Sequence, residues 1–167
     1  RLISLFDVLD PRGFTADLEA EDLGITPASW QTVGAQGVIK GRIVREGGRI
    51  RVEMRLYELS HGTSATLTRT YAGGAGELRG FMHDFANEVV RVLTGRAAAF
   101  GTRITFARRV REGRKDVYVA SFDGHNVARV SSGRGVAMLP AFGPGGIWYS
   151  VLTETGMFIT RTGQEER

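Results

Sequence analysis

The sequence predicts an α+β chain, in which a small layer of helix on sheet precedes strand-only structure of the β-propeller kind. Three observations carry this. Leu78, Phe81, Met82, Phe85, Val89, Val92 and Leu93 recur at i, i+3, i+4, i+7, i+11, i+14 and i+15, one apolar stripe on a helical period. Glu46-Gly47-Gly48 separates two apolar runs, and paired glycines there mark a tight hairpin, because both central residues of a type I′ turn need positive φ. Residues 104–162, finally, contain one short pattern twice. Ile104-Thr105-Phe106-Ala107 is answered 43 positions on by Ile147-Trp148-Tyr149-Ser150, and Asp116-Val117-Tyr118-Val119 is answered 40 positions on by Gly156-Met157-Phe158-Ile159. A repeat of about 40 residues built from short strands is the pattern of a propeller blade. One such unit cannot bury its apolar face alone, so the pattern implies more blades than 167 residues contain.

Taken in order, Leu5-Phe6-Asp7-Val8-Leu9 reads as a short buried strand ended by the turn Asp10-Pro11-Arg12-Gly13. Residues 14–25 show no period and read as loop. Thr26-Pro27 reads as an N-cap with proline at the first helical position, where a missing N–H costs nothing. That helix runs through Trp30 to about Val33, and Gly34 stops it. Val38 to Val44 forms the first hairpin strand. In the second, Ile50, Val52, Met54 and Leu56 alternate with Arg49, Arg51, Glu53 and Arg55, which predicts one face on apolar neighbours and one in water. Thr66 to Tyr71 continues the meander after Ser60-His61-Gly62, and the striped helix, closed by Thr94-Gly95, covers the apolar face. Between the two blade-like copies lies Leu139-Pro140-Ala141-Phe142, an apolar segment closed by the Gly143-Pro144-Gly145-Gly146 turn.

Composition sets outer bounds. An apolar fraction of 42% and a charged fraction of 24% are those of a soluble globular protein. There is no cysteine, so no disulfide frame, thiolate nucleophile or Cys-ligated metal is available. No apolar run reaches the length of a membrane span, and Arg1-Leu2-Ile3-Ser4 does not read as a signal peptide. Charge is uneven: residues 1–96 hold 12 basic and 12 acidic side chains, and residues 97–167 hold 10 and 6. The whole excess of +4 therefore sits in the second part. Arg103, Arg108, Arg109, Arg111, Arg114 and Lys115 fall around one hairpin there. With a pI near 9.9, a nucleic-acid patch is one reading, but no aromatics interleave the turn, and a solvated hairpin tip is the simpler one.

Residues that would carry chemistry do not converge. His61, His83 and His125 stand apart with no metal-ligand spacing, and no serine lies in G-x-S-x-G. Gly73-Gly74-Ala75-Gly76-Glu77-Leu78-Arg79-Gly80 follows a strand and opens a helix, the setting of a phosphate-cradling loop, yet Arg79 stands where the last glycine of G-x-G-x-x-G is needed. The acidic residues form no pair suited to acid–base work. The expectation is therefore no catalytic, cofactor-binding or metal residue, and no cofactor.

A family resemblance enters on particular residues. Leu93-Thr94-Gly95, then Phe100, then Thr102-Arg103-Ile104, joining an amphipathic helix to a first propeller strand, resembles the domain junction of the TolB family. Leu78-Arg79, His83 and Ala86-Asn87-Glu88 on the helix are similar to family members. So are Trp30-Gln31-Thr32-Val33-Gly34-Ala35, Val38-Ile39-Lys40-Gly41-Arg42 and Arg55-Leu56-Tyr57-Glu58. Asp123-Gly124-His125-Asn126 and Phe142-Gly143-Pro144-Gly145-Gly146 resemble its blade turns, although the latter commonly reads Trp-Ser-Pro-Asp-Gly, so Phe142 and Gly143 depart.

The resemblance implies a small α/β domain similar to anticodon-binding domains over residues 1–96, incomplete at its start. A linker over 97–103 follows, then blade 1 and part of blade 2 of a six-bladed propeller over 104–167. It implies a non-enzymatic periplasmic adaptor of the Tol–Pal envelope system, binding a Pal-type lipoprotein and a TolA-type protein, peripheral to membranes through those partners. Outer-membrane integrity, cell-division constriction and import of macromolecules are the implied processes, with no nucleic acid as partner. On this reading the chain is an internal fragment that leaves edge strands and an apolar blade face exposed. The rival reading is the propeller of a prolyl-oligopeptidase-like serine peptidase, which requires G-x-S-x-G outside these residues.

Overall fold

A computed structural model of the chain describes residues 5–131, 133 and 135–163. Arg1-Leu2-Ile3-Ser4, read above, lies outside them. The elements are α1 (Leu18–Glu21), α2 (Pro27–Thr32), β1 (Gly37–Glu46), β2 (Arg49–Glu58), β3 (Leu67–Gly73), α3 (Leu78–Thr94), β4 (Arg103–Arg111), β5 (Arg114–Ser121), β6 (Ala128–Arg129), β7 (Val136–Gly143), β8 (Gly146–Thr153) and β9 (Gly156–Arg161). They form three antiparallel meanders, β1-β2-β3, β4-β5-β6 and β7-β8-β9. The chain divides into two compact units, Arg1–Ala98 and Ala99–Arg167. The fold class is the expected one, α+β followed by the start of a propeller-type array.

In the first unit, Gly47 and Gly48 take φ of 55° and 86°, and the strands they join pair without a break from Gly37↔Glu58 to Glu46↔Arg49. The stripe of α3 lies on this sheet, where Phe85 and Val89 bury against Leu56 and Leu67 with Met54, Tyr71 and Leu93 at the margin. Each such side chain removed from water contributes about 1.5–3 kcal/mol, which is what holds a helix of this length in place. Arg69 on β3 clasps both carboxylate oxygens of Glu88 on α3, and Tyr71 stacks on Phe81 at 5.1 Å. Gly95, at φ 70°, ends the helix in a left-handed cap.

Three expectations fail in this unit. Leu5 to Leu9 is not a buried strand: residues 5–9 lie in no strand, and Leu5 and Val8 are 50% and 71% exposed. A short apolar run becomes a strand only against a partner edge, and none of the described strands pairs with it. Residues 14–25 are not all loop, because Asp17 caps the single turn α1 by accepting from the N–H groups of Glu19 and Ala20. The sheet face opposite α3 is not simply wet. There Val38 and Tyr57 bury with Ile25, Trp30 and Leu59, Phe14 packs edge-on against Trp30, and the Tyr57 hydroxyl donates to the Leu23 carbonyl. Thr26 does stand at the N-cap of α2, but its hydroxyl does not cap; its N–H donates to Glu21 Oε1 at 2.6 Å.

The second unit repeats one three-stranded meander, but not in the register expected: residues 104–107 lie in β4, the first strand of its sheet, whereas 147–150 lie in β8, the second, and 116–119 and 156–159 are offset by one strand in the same way. Alternating short strands resemble one another, so likeness of residues alone does not fix which strand of a meander each is. Val117, Ala137, Ile147, Tyr149 and Val151 form a core between the two sheets, with Val119 and Val130 beside it. The segment Leu139 to Phe142 is part of strand β7, bent by a bulge between Met138 and Ala141 where Leu139 takes φ 53°. On the far face of β8 and β9, Trp148, Leu152, Met157 and Ile159 remain exposed, Ile159 to 75%.

Candidate interaction surface

The features that suggested chemistry resolve into local structure. The glycine run after β3 forms a 3-10 turn, Ala75–Glu77, leading into α3. Its Glu77 carboxylate folds back to accept from the Gly74 N–H at 3.4 Å, and a Cβ at Gly73 would come within 2.2 Å of Glu77 Oε2. A side chain of this protein thus occupies the space a phosphate would need. His61 lies 3.7 Å from Glu58 and His125 lies 3.9 Å from Asp123, each a local surface pair. Among the described residues no group of three or more His, Asp or Glu could hold a metal ion, and no helix is long and apolar enough to cross a membrane.

The concentration of function-bearing groups is instead at the β4–β5 hairpin. Glu112 and Gly113 form its turn, with Gly113 at φ 67°, and the ladder slips between Arg109 and Arg111. Register sets Arg109 opposite Lys115 and Arg111 opposite Arg114, so cation faces cation at the tip. Like charges directly opposite destabilise a ladder. Below the tip, Asp116 is 1% exposed and draws Arg114 Nη2 to 3.3 Å and Arg129 Nη1 to 3.4 Å. Its other oxygen accepts from the Ser131 hydroxyl at 3.3 Å, and that hydroxyl in turn accepts from the Val117 N–H at 3.1 Å. One buried carboxylate therefore fixes two arginines. Arg108 lies over the ring of Tyr118 at 5.9 Å, and Phe106 stacks on that ring from the same strand pair. Among the described residues Arg109, Arg111 and Lys115 have no carboxylate partner. A cleft of about 340 Å³ opens at the tip, lined by Arg111, Glu112, Gly113, Arg114, Gly133 and Gly135.

Sequence reasoning found five of these six bases, Arg108, Arg109, Arg111, Arg114 and Lys115, but not the buried anion that organises the site. The available signal was Asp116 itself, a carboxylate heading the strand Asp116-Val117-Tyr118-Val119 where an apolar residue would be expected. Arg129 and Ser131 gave no signal, since nothing in spacing brings them back to Asp116.

A helix-backed meander followed by two packed three-stranded meanders defines an α+β protein with propeller-type sheets and no assembled catalytic group among the described residues. Comparison with known proteins then narrows the class. The family described as TolB amino-terminal domain matches residues 2–65. The chain is 35% identical over 150 residues to the Tol-Pal system protein TolB of Syntrophotalea carbinolica, covering 87% of this chain and 34% of that protein. It is 39% identical over 148 residues to the Tol-Pal system protein TolB of Anaeromyxobacter dehalogenans, covering 87% and 33%. The crystal structure of TolB from Acinetobacter baumannii superposes with a TM-score of 0.69 at 24% identity, over 81% of this chain and 35% of that one. The chain is similar to TolB proteins over most of its length and matches the TolB amino-terminal domain family over residues 2–65. It spans about a third of the length of the curated relatives it matches.

Proposed function

We propose that the chain is part of a non-enzymatic adaptor of the Tol–Pal system, acting in the periplasm by binding protein partners. The supporting observation is that similarity to Tol-Pal system proteins extends over 87% of the chain and so takes in both compact units. On this reading residues 1–96 are the amino-terminal α/β domain, 97–103 a linker, and 104–167 blade 1 and part of blade 2 of a six-bladed propeller. The partners are a Pal-type lipoprotein and a TolA-type protein, and the processes are outer-membrane integrity, division constriction and macromolecular import. No cofactor is required, because rigid strand faces and turns are enough for protein recognition.

The test is a calorimetric titration of the full-length protein against the soluble domain of the Pal-type lipoprotein from the same organism. Saturable binding supports the adaptor. Absence of heat at concentrations well above micromolar, with both proteins folded, removes the Tol–Pal assignment and leaves the family fold standing.

A further inference from the structure

The tip of the β4–β5 hairpin sets cation opposite cation at two successive ladder pairs. Elsewhere most sheet cations face or reach a carboxylate; here Arg109 faces Lys115 and Arg111 faces Arg114. A tip needing only solubility would mix signs. Arg114 at the tip, with Arg129 on the neighbouring β6, is held by the buried Asp116, so the ordering entropy that a ligand would otherwise have to overcome at Arg114 is already spent. Arg114 also keeps Nε buried without a hydrogen-bond partner among the described residues. Local inconsistencies of this kind mark functional surfaces.

We propose that this hairpin tip is a docking site for a carboxylate-rich segment of a protein partner. The proposal rests on the adaptor reading for the ligand being a protein. The chemistry of the site is its own argument. A guanidinium group presents a planar fork that matches carboxylate oxygens; Arg111 lines the cleft with no internal carboxylate partner, and Arg114, whose Nη2 is engaged by Asp116, adds positive charge beside it. A cleft of about 340 Å³ admits one or two acidic side chains. Beside the tip, the Tyr118 ring that a nucleic acid could stack on is already engaged by Arg108 and Phe106. Glu112 at the turn penalises a partner whose charges are not aligned with the arginines.

The experiment uses the full-length protein and a fluorescein-labelled peptide of alternating Glu and Gly, read by anisotropy across a salt series. Saturable binding that weakens as salt rises is expected. In the double variant Arg109→Glu, Arg111→Glu, both on exposed positions, affinity falls by about tenfold or more. The control Arg45→Glu, Arg49→Glu makes the same charge change at the β1–β2 hairpin and leaves affinity within about threefold. No saturable binding at low salt, an equal loss in both double variants, or a single-stranded oligonucleotide binding more tightly than the peptide overturns the proposal. Displacement of the peptide by millimolar inorganic phosphate, at matched ionic strength, would also overturn it by showing a simple oxyanion site. Because the peptide replaces the natural partner, failure here is separate from failure of the titration with the Pal-type lipoprotein.

Discussion

Two hairpins of nearly equal length in this chain handle charge in opposite ways. In β1–β2, Arg42 lies 2.9 Å from Asp22 and 3.7 Å from Glu53, Arg51 lies 2.9 Å from Glu46, and Lys40 lies 2.6 Å from Glu21. In β4–β5 the single buried acid, Asp116, serves two arginines, and the tip cations oppose one another. In the first hairpin Lys40, Arg42, Arg51 and Arg55 each have a carboxylate partner, and only the Lys40–Glu21 pair among them is buried. The second keeps its counter-charge inside and its excess outside. Charge count alone would miss this, because what differs is which side of the ladder the acids are on.

The largest expected effect tests the internal anion. Asp116→Ala removes the one carboxylate holding Arg114 and Arg129, and the buried hydroxyl of Ser131 loses its acceptor. Breaking a buried ion network costs about 3–5 kcal/mol, and since the arginines are 28% and 48% exposed, about 2–3 kcal/mol is expected for the second unit. Urea unfolding followed through Trp148, with Trp30 reporting the first unit, measures it. Loss below about 0.5 kcal/mol would show that the network organises nothing.

Next comes the matching buried pair of the first unit, Lys40 and Glu21, whose side chains are 8% and 7% exposed. Glu21→Gln strands the ammonium beneath Trp30 and is expected to cost about 2 kcal/mol, read through Trp30 fluorescence. The pH dependence has a definite sign. Burial alone would raise the Glu21 carboxyl, but bonds from Lys40, the Thr26 N–H and Trp30 outweigh it and hold the group below its ordinary 4.5. A depressed folded value adds stability that is complete above the unfolded value and is lost as pH falls through the folded one. The wild-type chain should therefore lose stability below about pH 4.5 by a component that Glu21→Gln lacks.

A smaller effect is expected at Gly48, at φ 86° with open space around it. Gly48→Ala should cost about 1 kcal/mol through backbone strain alone, checked by the denaturation midpoint. Smallest, and sharpest for the comparison, are two charge reversals at exposed positions. Arg109→Glu places an acid opposite Lys115 and should stabilise by a few tenths of a kcal/mol, whereas Arg42→Glu should destabilise by a similar amount. Equal signs for the two would mean that the hairpins are not electrostatically different after all.

These contrasts also explain what could be read from residues alone. Short-range features were legible: the α3 stripe and the Gly47-Gly48 hairpin each express a physical period within a short window. The doubled strand pattern signalled a repeat but in the wrong register, matching β4 to β8 and β5 to β9 where the topology makes β4 equivalent to β7 and β5 to β8. Features made by distant partners were not. Lys40 meets Glu21 across 19 positions and Ser131 meets Asp116 across 15, and no local pattern encodes either meeting. The turn α1 spans four residues, too few for a helical period, although Asp17 ahead of two glutamates was a usable cap signal. Leu5 to Leu9 failed for the converse reason, since its composition suits a strand but a strand exists only in pairing. Strand β7 was half hidden because Pro140 and a bulge interrupt its alternation.

The Ser131 tether has a consequence for the order of assembly. All members of that polar lock, Arg114, Asp116, Val117, Arg129 and Ser131, precede β7 in the chain, whereas the apolar partners of Val117 are Ala137, Ile147, Tyr149 and Val151. When the chain emerges amino-terminus first, from a ribosome or a membrane channel, the lock can close while the greasy face beside it is still bare. Polar contacts of this length gain strength only as water is excluded, so the lock tightens when Ala137, Ile147, Tyr149 and Val151 cover Val117, and the last strands to arrive complete the first contacts made.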